Sequence, residues 1–195
     1  VQSDSDVNVK SSWADKSNLE KALLVGMHGP PELKREEKAL FLGEFRERVI
    51  RSLTKDQVKD PGIYPEIVEA LKDSRTVGML ISGDIDWHFS GKYQKLASEM
   101  GKKSSIMHDP ELKGDIGLVV VSGVAEDVED VMVENREARL KRLGLPLKLI
   151  NSAGKKVCDR CYDKITGADP GEIINYGKLT LSDRFWGEKC NSCQI

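Results

Sequence analysis

The chain has 195 residues, 39% hydrophobic and 32% charged, with a formal net charge of −2. This is the composition of one medium domain plus something small, and a body of about 110 to 130 residues buries enough surface for a core without disulfides. No apolar run approaches the ~18 residues of a membrane span, no charged-then-apolar leader is present, and the start at Val1 leaves room for an upstream beginning.

Residues 1–16 are polar and without period, which predicts a flexible arm. Ser17 and Glu20 have the spacing of a capping box, and Leu19, Ala22, Leu23 and Met27 follow at helical spacing until Gly29, Pro30 and Pro31 stop the helix. Residues 36–58 are ambiguous. Phe45, Val49 and Leu53 recur every four residues, which slightly favours helix, whereas Val49-Ile50 is β-branched and residues 54–57 have turn composition.

Ile67, Val68 and Leu71 predict a short helix ending near Ser74, and residues 76–82 (TVGMLIS) a strand buried on both faces. Ser90 is placed to cap a helix carrying Tyr93, Leu96, Ala97 and Met100, closed by Gly101. Residues 104–107 and 116–122 predict two more strands. Strands alternating with helices at this spacing give a small α/β sheet. Residues 124–143 predict one further helix, acidic at its start and basic at its end, which complements the macrodipole; Gly144 and Pro146 stop it. The expected division is a flexible arm at 1–16, an α/β domain at 17–125, a connecting helix at 126–146 and a zinc-binding module at 147–195.

All four cysteines lie in the C-terminal segment, as Cys158-x-x-Cys161 and Cys190-x-x-Cys193, with 28 residues between the pairs. Two such knuckles turn four thiolates onto one metal ion, so one structural Zn²⁺ held by Cys158, Cys161, Cys190 and Cys193 is expected; a redox dithiol pair and unrelated thiols are the alternatives. A filled Cys₄ shell leaves no position for a catalytic water. Clustered thiols with metal spacing favour a reducing compartment, hence the cytoplasm. Leu147, Leu149, Ile150, Ile165, Ile173, Ile174, Leu179, Leu181, Phe185 and Trp186 are thinly spread over the tail, which is therefore expected to need its metal to fold.

Catalytic signatures are missing from the sequence. His28, His88 and His108 are solitary, no phosphate-cradling glycine loop or nucleophile elbow occurs, and Asp84 and Asp86 read as turn residues bonding their own backbone. From Glu134 onward 12 Lys/Arg face 8 Asp/Glu, a net of +4, which leaves −6 for the rest. A basic tail can favour an anionic partner, and the other reading is a charged linker that is simply solvated. The candidate anion- or partner-binding residues are Arg46, Arg48, Arg139, Lys141, Arg142, Lys155 and Lys156, with Arg51 completing a row if that strand exposes one face. The expected function is a non-catalytic binding protein, an adaptor associated with RNA, a ribonucleoprotein or a protein partner. The alternative is a metabolite binder or enzyme using the sheet face near Arg46 and Arg48.

Residues 29–32 (GPPE), 41–49 (FLGEFRERV) and 53–58 (LTKDQV), with the Ser82-Gly83-Asp84 turn, the Tyr93-x-x-Leu96-Ala97 helix and residues 117–120 (GLVV), resemble the YueI-like family of bacterial domains of unknown function over roughly residues 19–125. The resemblance implies a small mixed-sheet α/β sandwich of the chorismate mutase-like kind, with order β-α-β-α-β-β, followed here by a zinc-ribbon-like module outside the family pattern. It also implies that Arg48 to Leu53 is the first strand, against the helical period. The element order of residues 79–107 is similar to that of kink-turn-binding ribosomal proteins, a likeness of fold alone.

Overall fold

The computed structural model describes Ser17, Leu19, residues 35–110, Leu112, residues 114–125 and residues 128–193. The predicted arm at 1–16, the helix from Leu19 to Met27 with its Ser17–Glu20 capping box, and His28 lie outside the described residues or rest on them. The chain separates into two compact units, Val1–Arg35 and Glu36–Ile195, and the second holds the sheet and the cysteines. No helix of the described residues is long and apolar enough to cross a membrane.

Helix α1 (Arg35–Leu40) leads through a 3-10 turn (Arg46–Arg48) into strand β1 (Val49–Thr54). The strand overrides the four-residue period because Val49, Ile50 and Leu53 all find apolar neighbours in the sheet, which a single helical stripe could not offer. Thr54 ends β1 and starts helix α2 (Lys55–Lys59) through a capping box: its hydroxyl accepts from Gln57 N–H, and the Gln57 side chain accepts from Thr54 N–H. Helix α3 (Pro65–Lys72), strand β2 (Thr76–Ser82), helix α4 (Trp87–Glu99), strand β3 (Lys103–Met107) and strand β4 (Ile116–Ser122) follow. The sheet order is β1-β4-β2-β3, with β4 antiparallel to both neighbours and β2 parallel to β3. The fold is therefore mixed α/β around a mixed sheet. Strand β4 is central and buried along its whole length.

Helix α4 begins one turn earlier than its sequence indicated. Asp86, not Ser90, is the N-cap and accepts from His88 N–H at 2.8 Å, while Ser90 is buried inside the helix. A carboxylate next to the turn outcompetes a hydroxyl four residues later.

The helix predicted over 124–143 is shorter: only α5 (Arg136–Arg142) is helical, with Asn135 as N-cap. Residues 131–133 instead run along β1, where Ser52 N–H donates to Val131 O at 2.6 Å and Val133 N–H to Ser52 O at 3.2 Å. Val131 and Val133 are buried and Met132 between them is exposed, the period-two pattern of an extended edge. This alternation outweighs the favourable order of charges.

Beyond α5 come helix α6 (Leu147–Ile150), strand β5 (Lys156–Val157), helix α7 (Asp159–Ala168), a 3-10 segment (Pro170–Asn175), strand β6 (Gly177–Lys178) and helix α8 (Leu181–Phe185). Strands β5 and β6 pair in parallel. Leu140, Leu149, Ile150, Val157, Ile165, Tyr176 and Leu179 form a core of their own with Cys161 and Cys190. Of the apolar side chains expected to be thinly spread, Leu149, Ile150, Ile165 and Leu179 converge here, whereas Leu147, Ile174, Leu181, Phe185 and Trp186 stay exposed.

Candidate metal centre

Two short strands and two turns bring the four cysteines together. Cys158 is the residue before α7 and Cys161 lies in its first turn, so the first knuckle is a strand-to-helix junction. Leu179 N–H donates to Val157 O at 2.9 Å and Asn191 N–H to Lys156 O at 3.4 Å, which ties β6 and the second knuckle to the same strand. Their Sγ atoms all lie within 4.8 Å of one another, with Cys158–Cys193 at 3.6 Å and Cys161–Cys190 at 3.8 Å. None is in a disulfide. Among the described residues this is the group of cysteine, histidine and carboxylate side chains that could hold a metal ion.

The donor set fits a soft cation. Burial raises the Cys190 thiol, but backbone N–H groups of Cys193, Cys158 and Ser192 outweigh it and bring the pKa down to about 6. Cys158 N–H is one of these donors, at 3.3 Å. Cys161 is pushed up to about 12 by burial and by the neighbouring sulfurs of Cys158, Cys190 and Cys193. Four thiols this close cannot all ionise unaided, and a cation among them removes the repulsion. The start of α7 adds the positive end of a ten-residue helix beside the first knuckle.

The cations singled out by sequence fall into three groups. Arg46, Arg48 and Arg51 point at carbonyl oxygens: Arg46 donates to Val128 O and Glu129 O, Arg48 to Ser122 O at 3.2 Å, and Arg51 to Asp130 O at 2.8 Å. Arg46 and Arg48 lie in the turn before β1, so strand alternation does not align them with Arg51. Together they hold the segment that returns from β4 along β1. Arg139 is turned inward, pairing with Glu172 at 2.7 Å, Glu66 at 3.5 Å and Asp169. Lys141, Arg142 and Lys156 form surface pairs, Lys141 with Glu137, Arg142 with Glu134, and Lys156 with Asp183 and Glu188. Lys155 is exposed and has no carboxylate within 4 Å among the described residues. His88 and His108 are exposed. Asp84 pairs with Lys55 at 2.6 Å and Asp86 caps α4, so both have local structural partners.

A second polar cluster escaped sequence reading. Arg136 is 1% exposed and Glu172 0%, and their Nε–Oε2 distance is 2.8 Å. Arg136 also reaches Asp60 at 3.4 Å and the Tyr176 hydroxyl at 3.0 Å, while its backbone N–H donates to the Tyr64 hydroxyl. Asn175 donates to Glu172 and exchanges two hydrogen bonds with the Ile63 backbone. Burial raises the Glu66 carboxyl, and its Oε2 has no hydrogen-bond partner. These residues are scattered from position 60 to 176, and no local spacing marks them.

The family described as protein of unknown function (DUF1694) matches residues 16–132. The chain belongs to this family. It is 36% identical over 121 residues to the uncharacterized protein YueI of Bacillus subtilis (strain 168), a match covering 62% of this chain and 90% of that one. The crystal structure of the Bacillus subtilis YueI protein superposes with a TM-score of 0.50 at 34% identity, covering 61% of this chain and 93% of that one. The four cysteines, Arg136 and Glu172 all lie beyond the residues the family matches.

Proposed function

We propose that the chain is a non-catalytic binding protein whose C-terminal segment is ordered by one structural Zn²⁺ and engages RNA or a ribonucleoprotein. The observation that carries this is the closure of four sulfurs within 4.8 Å of one another. Four thiolates complete a tetrahedral shell and leave no position for water or substrate, so the ion serves order. Thiolate softness selects zinc over the hard divalent cations. Four cysteines brought side by side without a disulfide suit a reducing compartment, in agreement with a cytoplasmic location. The module is read as zinc-ribbon-like, since each knuckle adjoins a short strand, and the sheet with its helices as a chorismate mutase-like sandwich.

An anionic partner is supported by the cations that remain available. Lys155, Arg160, Lys164 and Lys189 are exposed without a carboxylate within 4 Å among the described residues. Lys141, Arg142 and Lys156 sit in surface pairs, which are worth little and yield readily to phosphate. Arg46 and Arg48 are engaged with carbonyls, which leaves the metabolite reading without an observation of its own.

The test has two arms. Elemental analysis of protein kept reduced should return one zinc per chain, and no metal would refute the structural ion. Filter-binding titration with mixed RNA should show retention that falls steeply with salt, and Lys155→Glu with Lys156→Glu should weaken it for every sequence alike. No retention at low salt would refute RNA as the partner and leave a protein-directed adaptor.

A further inference from the structure

Among the large apolar side chains exposed in the described residues, three sit together on one short helix. Leu181 is 84% exposed, Phe185 86% and Trp186 82%, all in or just after α8. Exposed aromatics on a loose end need no explanation, but α8 is firmly held. Thr180 and Asp183 close a capping box on its first turn. Leu179 before the helix and Cys190 after it are buried. The Phe185 and Trp186 rings meet edge to face, with centroids 6.1 Å apart and planes at 86°. A braced helix thus presents two differently oriented ring faces to solvent.

The surroundings select the occupant. Apart from Asp169 and Glu172, which are committed to Arg139 and Arg136, residues 155–189 carry seven Lys/Arg and four Asp/Glu, a net of +3. Asp159, Asp183 and Glu188 are already paired with cations. Arg184 reaches Asp159 beside the first knuckle at 3.3 Å, which places α8 next to Arg160, and Lys189 adjoins Cys190. Open rings among cations without carboxylate partners match a strand whose bases stack on aromatics while its phosphates meet Lys and Arg. A duplex keeps its bases stacked on one another and offers such rings nothing. A purely apolar protein partner would gain nothing from the surplus of positive charge.

Resting on the RNA reading above, we propose that Phe185 and Trp186 form a base-stacking platform for single-stranded nucleic acid, with Arg160 and Lys189 as phosphate contacts. The platform supplies preference for strand form, and the surrounding cations supply general affinity.

The experiment uses the whole zinc-loaded chain of 195 residues with a labelled single-stranded oligouridylate and an RNA hairpin duplex of equal length. Wild type should bind the single strand more tightly. Phe185→Ala with Trp186→Ala should weaken single-strand binding by about tenfold or more, since one lost base stack costs that much, and should leave the duplex affinity and zinc content as they were. Both side chains are more than four-fifths exposed, so their removal spares the core. Ultraviolet crosslinking of the oligouridylate should label the peptide holding Phe185 and Trp186. If wild type binds RNA and the double variant binds the single strand equally well, the platform is refuted while the RNA reading stands. If wild type binds neither RNA, both fall, and the exposed rings belong to a protein partner.

Discussion

Replacing Glu172 with Gln isolates the charge at the centre of the buried cluster. Glu172 Oε2 accepts from Arg136 Nε at 2.8 Å and from Asn175 Nδ2 at 3.0 Å, and Oε1 accepts from Arg139 Nη2 at 2.7 Å. All three are donors. An amide of the same shape keeps one acceptor and must turn its NH₂ toward a guanidinium or toward Asn175. Arg136, 1% exposed, would then retain Asp60 at 3.4 Å as its carboxylate partner. Leaving a buried charge uncompensated costs about 3–5 kcal/mol, against about 5–15 kcal/mol for the whole stability of a typical domain.

Urea unfolding of zinc-loaded protein, followed by circular dichroism, should therefore shift Glu172→Gln to a much lower midpoint with an unchanged slope. The double variant Arg136→Met, Glu172→Leu separates pairing from packing. Removing both charges should cost much less than the two single changes added together, because the desolvation penalty disappears with the attraction. A Glu172→Gln variant within about 1 kcal/mol of wild type would show that water reaches the pair, and the reasoning would fail.

Burial lowers the Lys92 ammonium from its ordinary value of 10.5 to about 8, with Arg136 adding to the effect and Asp60 opposing it. Holding the lysine charged thus costs stability below about pH 8, a cost relieved as pH rises toward 10.5, so wild type should gain on Lys92→Met across that window in paired urea titrations; a pH-independent difference would contradict the assignment. At Gly62 an added Cβ would lie 2.7 Å from Arg136 Nε, so Gly62→Ala should destabilise by about 1–3 kcal/mol, and a neutral effect would mean that the guanidinium can shift. Cys190→Ser should abolish the stoichiometric zinc and loosen the tail while leaving the signature of the β1–β4 sheet, and retained metal on elemental analysis would break the ligand assignment.

The parts legible in sequence were those with a local cause. Residues 116–122 read as a buried strand because both sheet faces are covered, residues 76–82 likewise except at Val77 and Leu80, and the cysteine knuckles because their two-residue spacing turns paired thiols to one side. Strand β1 was misread by period and recovered by the family resemblance, since Val49, Ile50 and Leu53 take their burial from β4, 60 or more residues away. The extended run at 131–133 was hidden under a charge pattern that suits a helix, and only its pairing with Ser52 decides against one. Arg139 counted as a basic surface residue in sequence, yet three carboxylates from positions 66, 169 and 172 draw it inward. The Arg136–Glu172 pair had no signal at all, because buried ion pairs require a partner that only tertiary structure supplies.

Helix α7 joins the two features that organise the C-terminal segment. It starts at Cys158 and Cys161 and ends at Asp169, which pairs with Arg139 and caps the turn that carries Glu172 and Asn175. At 1.5 Å per residue the ten-residue helix spans about 15 Å, so the four cysteines and the ion cluster hold opposite ends of one rod. Zinc contributes on the order of 10–16 kcal/mol in small modules, whereas the cluster acts through burial and pairing that need no metal. Chelation should therefore open the chain from the cysteine end. Amides at Val157, Leu179 and Cys190 should lose hydrogen-exchange protection first, while Ile63, bonded to Asn175 at 2.6 Å, should keep it. Simultaneous loss at both ends would mean that α7 transmits the whole effect and that the cluster cannot hold the segment on its own. Loss at neither end would mean that the core around Leu149, Ile165 and Tyr176 suffices without the ion.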